Sequence, residues 1–346
     1  MRGGTELQQP SAIAVLSAGS WGTTFAKVLA DAQPRIPVRL WARRAEVVEE
    51  INTQHRNSAY LPEIQLPENI SADQDPAAVL AGADVVVLAV PAQSLRAQLR
   101  QWREHFAPDV TVISLMKGLE LGSDARMSEV IAEELTIASE RIVVVSGPNL
   151  AMEIARKEPT ASVVACTDEQ TAAWVAGLSA PSYFRPYTTT DVAGVEIGGI
   201  VKNVIALAVG ICDGRGMGQN TKASVITRGL AETTRLAVAL GGQSETMAGL
   251  AGLGDLVATC SSPLSRNRTA GRLLGQGLSL EQVADKMTQT AEGIKSGPAV
   301  HELAGKLEIE MPITAAMVGV LSGKLTVDEL GPRLLARDLK AESEYS

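Results

Sequence analysis

The stretch 12–22 reads AIAVLSAGSWG and decides the fold of the first half of the chain. Its first five residues are an apolar run typical of a buried strand, a turn with two glycines follows, and residues 23–32 have helical composition. This order is typical of the first βα unit of a dinucleotide-binding domain, whose turn carries the GxGxxG motif. Gly19 and Gly22 occupy the second and third glycine positions, and Ser17 occupies the first. We therefore expect a pyrophosphate to approach Gly19, the helix to pack closely at Gly22, and the bend to accommodate a side chain.

Two arginines follow the second predicted strand, residues 37–41. In a dinucleotide-binding domain, an acidic residue about twenty positions after the motif binds the free 2′-hydroxyl of NAD. Arg43 and Arg44 stand there instead, and two guanidinium groups suit a 2′-phosphate. The pattern favours NADP as cofactor, with NAD possible. The alternative is that both arginines are solvated charges beside Glu46.

The remaining strands and helices predict two domains of different class. Four further apolar runs lie at residues 85–90, 110–114, 142–145 and 162–166. After about Asp191 the chain becomes rich in Ala, Leu and Gly with a helical pattern. We predict an α/β Rossmann-type N-terminal domain with a mostly parallel sheet over residues 11–191, followed by an all-α C-terminal domain over residues 192–340.

Lys117 and Gly147 follow two of these predicted strands. Because the carboxyl ends of parallel strands form one edge of a sheet, ligands bind there. We therefore expect Lys117 and the Gly147 backbone to share a crevice with the turn at Gly19.

Lys202 lies in the otherwise apolar stretch GGIVKNV, within a predicted buried helix over residues 192–209. A buried cation is costly without a partner, so this position predicts a chemical role. Gly198 and Gly199 lie one turn earlier, and helical side chains lean toward the N-terminus. We expect room for a small molecule over these glycines. The alternative is an ammonium that reaches solvent or pairs with Glu196.

A second helix start, in the string LSRNR, has the features of an anion site. Ser265 is a suitable N-cap, and the free backbone N–H groups would face the same point as Arg266 and Asn267. The alternative is a capped helix with solvated arginines. Asp255, between glycines and an apolar run in AGLGDL, is compatible with an N-cap or with a role in the site.

Composition narrows the classes of function. The net charge of −8 argues against a general nucleic-acid binder, which needs a broad positive field. Three scattered cysteines and three histidines indicate neither a disulfide framework nor a metal site. No apolar run is expected to reach the roughly 20 residues of a membrane span, and residues 1–10 lack a signal-type apolar core. We expect a cytoplasmic protein, and local cations are compatible with a small anionic substrate.

The chain resembles the bacterial type of NAD(P)-dependent glycerol-3-phosphate dehydrogenase from about residue 13 to about residue 331. The resemblance is carried by eight strings in the expected order: SAGSWGT, HRNSAYLP, LMKGLE, SGPNLAMEIA, VKNVIALAVG, GQNTKASVITRGLAE, AGLGDLVATC and LSRNR. It implies reversible hydride transfer between sn-glycerol 3-phosphate and dihydroxyacetone phosphate. It also implies a homodimer and the supply of a phospholipid precursor.

The same resemblance implies roles for individual residues. Lys202 would be the catalytic acid and base. The substrate would contact Lys117, Gly147, Asn149, Asp255, Ser265, Arg266 and Asn267. The cofactor would contact Gly19, Ser20, Trp21, Gly22, Arg43, Arg44, Lys117, Ala151, Arg266, Thr290 and Glu292. Two positions depart from the family's pattern: Ser17 replaces the usual glycine, and Asn149 stands where Ser or Thr is common.

Three other functions are compatible with parts of this pattern. A β-hydroxyacid or 6-phosphogluconate type dehydrogenase also uses a helix lysine, but places an asparagine three or four residues after it, where this chain has Ile205 and Ala206. A sugar-nucleotide dehydrogenase requires a cysteine in a glycine-rich setting, which Cys260 lacks. The altered turn at Ser17 also suggests a catalytically silent NADP(H)-binding sensor. The joint presence of Lys117, Lys202, Asp255 and Arg266 argues against this function.

Overall fold

The computed structural model describes residues 8–287 and 291–336. The chain forms two compact units. Unit 1 comprises Met1–Met116, Met127–Val145 and Asn149–Val192, and unit 2 comprises Lys117–Arg126, Ser146–Pro148 and Ala193–Ser346. Two short segments of the first half therefore group with the second half. Neither segment carries a sequence signal for this grouping, and the boundary between residues 191 and 192 stays a prediction.

Unit 1 is built on one eight-stranded sheet in the order β3-β2-β1-β4-β5-β6-β7-β8. The strands are β1 (Ile13–Leu16), β2 (Val38–Trp41), β3 (Ile70–Asp73), β4 (Val85–Leu88), β5 (Thr111–Ser114), β6 (Ile142–Ser146), β7 (Thr160–Ala165) and β8 (Phe184–Thr189). The pairs from β3 through β6 and the pair β7–β8 are parallel. The strand order reverses direction between β1 and β4, where such sheets bind ligands. The Rossmann-type prediction is confirmed, and the glycine turn follows β1 at this switch.

Six of the strands match the apolar runs of the sequence. The other two, β3 and β8, lie at the two edges of the sheet. Alternate residues of β3 are exposed, and only Phe184 is fully buried in β8. Edge strands bury less surface and therefore carry a weaker apolar signal.

Seven helices connect the strands of unit 1. They are α1 (Ser20–Ala32), α2 (Ala45–Gln54), α3 (Pro76–Leu80), α4 (Leu95–Trp102), α5 (Met127–Leu135), α6 (Ala151–Ala155) and α7 (Glu169–Leu178). The ring of Phe25 on α1 packs against those of Trp21 and Phe184, with ring centroids 5.6 and 6.4 Å away. This contact fixes the first turns of α1, which follow the glycine motif.

Unit 2 is helical, as the sequence predicts. Its helices are α8 (Val192–Gly214), α9 (Gln219–Ala239), α10 (Ser244–Ala248), α11 (Asp255–Ser261), α12 (Arg266–Gly275), α13 (Leu280–Lys286), α14 (Glu292–Lys306), α15 (Pro312–Leu321) and α16 (Val327–Leu335). A π-helical turn, Leu250–Gly254, directly precedes α11. Helices α8 and α12 cross at backbone contact, since a side chain at Gly210 or Gly271 would overlap a carbonyl of the other helix.

Helix α8 is the centre of unit 2. It has 23 residues and a mean hydropathy of 1.8 over its most apolar window, so the expectation that no apolar run reaches membrane-span length is wrong. The whole of that window is buried within the protein. Its length and apolar character are therefore those of a core helix, packed on every side by other elements of the chain.

Candidate active site

Lys202 is buried on α8, with 8% of its surface exposed. Its Nζ donates hydrogen bonds to Asp255 Oδ1 at 2.6 Å and to Thr259 Oγ1 at 2.7 Å. The lysine therefore pairs with α11, and the predicted alternatives of solvent or Glu196 are wrong. Burial lowers the pKa of Lys202 to about 8, against the carboxylate of Asp255, which raises this pKa. An ammonium with such a pKa gains and loses a proton near neutral pH.

Lys117 reaches the same carboxylate from a different part of unit 2. Its Nζ donates to Asp255 Oδ2 at 2.7 Å and to the Gly147 carbonyl at 3.1 Å. The structure brings Lys117 to the Gly147 backbone, and both residues belong to short segments that group with unit 2. That they share a crevice with the turn at Gly19 stays a prediction. The charge of Lys117 also helps to lower the pKa of Lys202. Two ammonium groups around one carboxylate leave one net positive charge, which suits an oxygen that becomes negative in a reaction.

Asp255 is the first residue of α11, and Gly254 is the N-cap. The N-cap interpretation of Asp255 is therefore wrong, because its carboxylate is engaged by the two lysines. The π-helical turn that precedes it is of a kind that is rare in proteins and is frequently found at functional sites. This turn sets the direction in which α11 begins and thus where the carboxylate lies.

Thr259 and Asn203 are parts of the site that the sequence analysis misses. Thr259 lies one helical turn after Asp255, and its hydroxyl donates to Asp255 Oδ1 at 3.3 Å. Asn203 follows Lys202 and accepts a hydrogen bond from the Asn267 amide at 2.8 Å. The spacing of four between Asp255 and Thr259 is a usable signal, since residues four apart share a helix face.

Gly199 does not leave room for a small molecule, contrary to expectation. A Cβ at this position would lie 2.9 Å from the Ser146 hydroxyl oxygen and 3.4 Å from side-chain carbons of Lys117. The space over the glycine is filled by the two short segments of unit 2. Gly199 therefore allows Lys117 and the segment at Gly147 to approach α8.

The start of α12 has the predicted N-cap. Ser265 accepts a hydrogen bond from the Arg268 backbone N–H at 3.2 Å, and Arg266 is exposed as the first helical residue. The Asn267 carboxamide is buried and donates to Asn203, while its oxygen accepts from the Gly293 N–H at 2.8 Å. Asn267 thus links α8, α12 and the start of α14, next to Glu292.

In unit 1, the turn after β1 is close to the predicted form. A side chain at Gly22 would overlap the carbonyl oxygen of Ser17, so helix and strand touch there. Gly19 is the N-cap of α1 and has no side-chain cap, and a helix start of this kind is suited to bind an anion. Ser17 adopts φ 146°, a region that non-glycine residues rarely occupy. The side chain in the bend is accommodated at the cost of backbone strain.

Several buried polar atoms near the carboxyl ends of the unit 1 strands have no protein partner among the described residues. They include Trp21 Nε1, Ser114 Oγ and both carboxamide atoms of Asn149. A buried polar atom without a partner is costly, and ligands commonly supply the missing bond. Ala151 begins α6, and its carbonyl accepts from the Thr24 hydroxyl at 3.2 Å.

Arg43 and Arg44 are exposed at the end of β2, before α2. The guanidinium of Arg44 lies 5.9 Å from the ring centre of Tyr60, and its Nε is 3.6 Å from a carboxylate oxygen of Glu46. An exposed pair at this distance is weak, so both arginines are available to an anion. Thr290 lies outside the described residues.

Family models for the N- and C-terminal domains of NAD-dependent glycerol-3-phosphate dehydrogenase match residues 12–172 and 191–331. The chain belongs to this family. It is 57% identical to the glycerol-3-phosphate dehydrogenase [NAD(P)+] of Thermobifida fusca over 330 residues, which cover 95% of this chain and 98% of the relative. It is 54% identical to that of Corynebacterium urealyticum, with 95% and 99% covered.

A solved structure supports the same assignment. The glycerol-3-phosphate dehydrogenase of Coxiella burnetii superposes with a TM-score of 0.89 at 38% identity, covering 95% of this chain and 99% of that one. Membership of the glycerol-3-phosphate dehydrogenase family accounts for the presence of both a dinucleotide-binding turn and a cluster of lysines around Asp255 in one chain. In residues 8–287 and 291–336, no group of three His, Cys, Asp or Glu residues is placed to hold a metal ion.

Proposed function

We propose that this glycerol-3-phosphate dehydrogenase interconverts sn-glycerol 3-phosphate and dihydroxyacetone phosphate by hydride transfer with NAD(P)(H). The observation that carries the proposal is the cluster in which Lys117 and Lys202 share the carboxylate of Asp255. A silent sensor would have no use for one buried and one partly buried ammonium group, since each costs free energy to desolvate.

Lys202 is the proposed acid and base. When the ketone is reduced at C2, negative charge develops on the carbonyl oxygen, and a nearby ammonium stabilises and protonates it. In the oxidation direction the neutral amine takes the hydroxyl proton. Because burial lowers the pKa of Lys202 to about 8, both forms are populated close to neutral pH and either direction can proceed.

Asp255 and Lys117 have opposite effects on this lysine. Asp255 stabilises the charged form and holds the Nζ in place, whereas Lys117 disfavours a second positive charge beside its own. Lys117 also brings an ammonium that can bind an oxygen of the substrate. Thr259 accepts from Lys202 and completes the orientation of the amine.

The phosphate of the substrate is proposed to bind at the start of α12. Arg266 brings a guanidinium, and the helix N-terminus brings backbone N–H groups and a positive dipole end. Asn267, fixed by Asn203 and Gly293, holds this helix start in register with α8. Binding energy from the phosphate then orients the carbonyl for reaction.

The residues of unit 1 fit a dinucleotide. Ser20 and Trp21 begin a helix whose N-cap has no side-chain cap, Gly19 allows the pyrophosphate to approach, Gly22 lets the helix pack closely on the turn, and the Trp21 indole N–H lacks a partner among the described residues. When bound, the nicotinamide supplies or accepts the hydride at C2 of the substrate. Arg43 and Arg44 are proposed to bind the 2′-phosphate and to favour NADP over NAD.

Further contacts and the setting of the enzyme are also proposals. Asn149 and Ser265 complete the substrate contacts, and Ala151, Thr290 and Glu292 complete those of the cofactor. We place the enzyme in the cytoplasm as a homodimer, where glycerol 3-phosphate serves phospholipid synthesis.

The test is a steady-state assay of the purified protein with dihydroxyacetone phosphate and either NADPH or NADH, followed by the absorbance of the reduced nicotinamide. We expect a loss of absorbance that depends on the substrate. At low cofactor concentration this loss should be faster with NADPH than with NADH. Cofactor binding without any turnover would instead support the sensor. Turnover with a β-hydroxyacid but not with the phosphorylated triose would support the other dehydrogenase class.

A further inference from the structure

The segment Lys117–Arg126 brings Lys117 to the site, yet it lies between two parts of unit 1 in the sequence. The chain leaves unit 1 after Met116, adds ten residues to unit 2, and returns. Lys117 is at the first end of this segment and Arg126 is at the last. The location of the Lys117 ammonium therefore depends on what holds the segment in unit 2.

The segment folds back on itself. Leu119 pairs with Arg126 in an antiparallel bridge, and the Glu120 N–H donates to the Ala125 carbonyl at 3.0 Å. Gly122 and Asp124 adopt positive φ values of 89° and 56°, which close the turn. These bonds make the ten residues one local unit, so an anchor at its end also holds its beginning.

The anchor with the deepest burial is the ion pair between Arg126 and Glu196. Arg126 Nη1 lies 2.9 Å from Glu196 Oε2, and the Glu196 side chain is 1% exposed. Glu196 lies on α8, six residues before Lys202, about 9 Å along the helix axis. The same helix thus carries the general acid and the carboxylate that holds the Lys117 segment.

A buried ion pair is a poor source of stability, because desolvation offsets most of its attraction. Such pairs are best explained where they fix one arrangement over others. The contact between Lys117 and Asp255 is such an arrangement, and the charge of Lys117 is one of the causes that lower the pKa of Lys202, after burial.

We propose that the Arg126–Glu196 ion pair is a positioning element of the active site, which locks the Lys117 segment to α8 and so holds the Lys117 ammonium on Asp255. The inference rests on the proposed role of Lys202 as acid and base. Neither Arg126 nor Glu196 touches the reacting atoms. They act through Lys117.

The consequence is a defined change in pH dependence. The titratable groups that face Lys202 are Asp255 and Cys260 from α11 and Lys117 from the segment. Burial raises the pKa of Cys260 to about 12, so this thiol stays neutral. If Lys117 moves away, Lys202 loses a neighbouring positive charge and no longer shares the Asp255 carboxylate with a second ammonium. Both changes raise the pKa of Lys202.

The experiment measures kcat/KM for glycerol 3-phosphate oxidation across pH at saturating NADP, in the wild type, Glu196→Gln and Arg126→Met. In the wild type, activity rises with pH as Lys202 loses its proton. In both variants we expect this rise to move up by about half to one pH unit and KM for substrate to increase. The double variant should add little to either single change, since both remove one contact.

The matched control is Glu232→Gln. Glu232 is an equally buried carboxylate of unit 2, but it caps α15 through the N–H groups of Ile313 and Thr314. We expect it to change the melting temperature without moving the pH profile. If Glu196→Gln does not fold, the result with Arg126→Met is decisive, because the Arg126 side chain is less buried than that of Glu196 and its replacement is easier to accommodate.

An unchanged pH profile in a folded Arg126→Met or Glu196→Gln variant overturns the inference. The ion pair would then contribute to the fold without positioning Lys117. Absence of turnover in the wild type is a separate result, since it contradicts the proposed function itself.

Discussion

Lys202 and Asp255 form a buried ion pair of 2.6 Å between α8 and α11, and the second oxygen of the same carboxylate binds Lys117. Burial and the nearby charge of Lys117 lower the pKa of Lys202 from its ordinary 10.5 to about 8, whereas the Asp255 carboxylate raises this pKa. The ion pair therefore orients the amine, and burial makes it a usable acid and base in this enzyme.

Lys202→Ala is expected to abolish turnover while leaving NADPH binding within about twofold of the wild type. General acid–base catalysis contributes about 10²- to 10⁴-fold to rates, so a loss in kcat of at least about a hundredfold is expected. Turnover and NADPH fluorescence titration measure the two effects. Lys286→Ala, at an exposed lysine of α13, is the control and should keep both. An unchanged kcat in Lys202→Ala would assign the proton transfer to another group.

Most of the fold follows from the sequence, because strands buried on both faces appear as continuous apolar runs. This holds for β1, β4, β5 and β6, whose residues are all buried. It fails for β3 and β8, because an edge strand such as FRPYTT needs few apolar residues. Helix α8 is recognised from its composition, although its burial decides between a core helix and a membrane span.

The site is predictable only in part. Lys202 can be identified because a cation in an apolar helix is costly to bury without a partner, and Ser265 can be identified as an N-cap. The shared carboxylate does not, because 138 residues separate Lys117 from Asp255 and tertiary packing alone brings them together. For the same reason the sequence suggests that Asp255 is an N-cap and that the space over Gly199 is open, whereas a Cβ at Gly199 would already be in van der Waals contact with Lys117.

Replacing Arg43 and Arg44 together by Ala is expected to weaken NADPH binding much more than NADH binding, since only NADPH carries the 2′-phosphate. Hydrogen bonds to charged groups contribute about 1.5–3 kcal/mol each, so a loss of at least about tenfold in NADPH affinity is expected. Titration of both cofactors measures the difference. Arg35→Ala, an exposed arginine before β2, should change neither affinity. Equal losses for both cofactors would show that the two arginines do not read the 2′ position.

Glu232 gives the fold a predictable dependence on pH. Burial raises the pKa of its carboxyl to about 7, above the usual 4.5, despite hydrogen bonds from Ile313 and Thr314 that lower this pKa. The folded state therefore holds this proton more tightly than the unfolded state. Its contribution to stability is present below pH 4.5 and is lost as pH rises through about 7, by at most about 3 kcal/mol.

Glu232→Gln removes that dependence. As pH rises from 5 to 8, we expect the melting temperature of the wild type to fall relative to that of the variant, because the wild type must then ionise a buried carboxyl. Calorimetry at both pH values measures this shift, and all other titrating groups are shared by the two proteins. A difference that does not change with pH would show that Glu232 keeps an ordinary pKa in the folded protein.

Ser17→Gly is expected to stabilise the protein and to keep or improve cofactor affinity. Ser17 has φ 146°, and a non-glycine residue held in such a region costs about 1–3 kcal/mol. The serine hydroxyl offers only a long hydrogen bond of 3.3 Å from the Gly19 N–H in return. Ser17→Ala is the matched control, since it removes the hydroxyl and keeps the strained backbone. We expect a higher melting temperature for the glycine variant and an unchanged or slightly lower one for the alanine variant. A glycine variant that is less stable than the wild type would mean that the hydroxyl contributes more than the backbone strain costs.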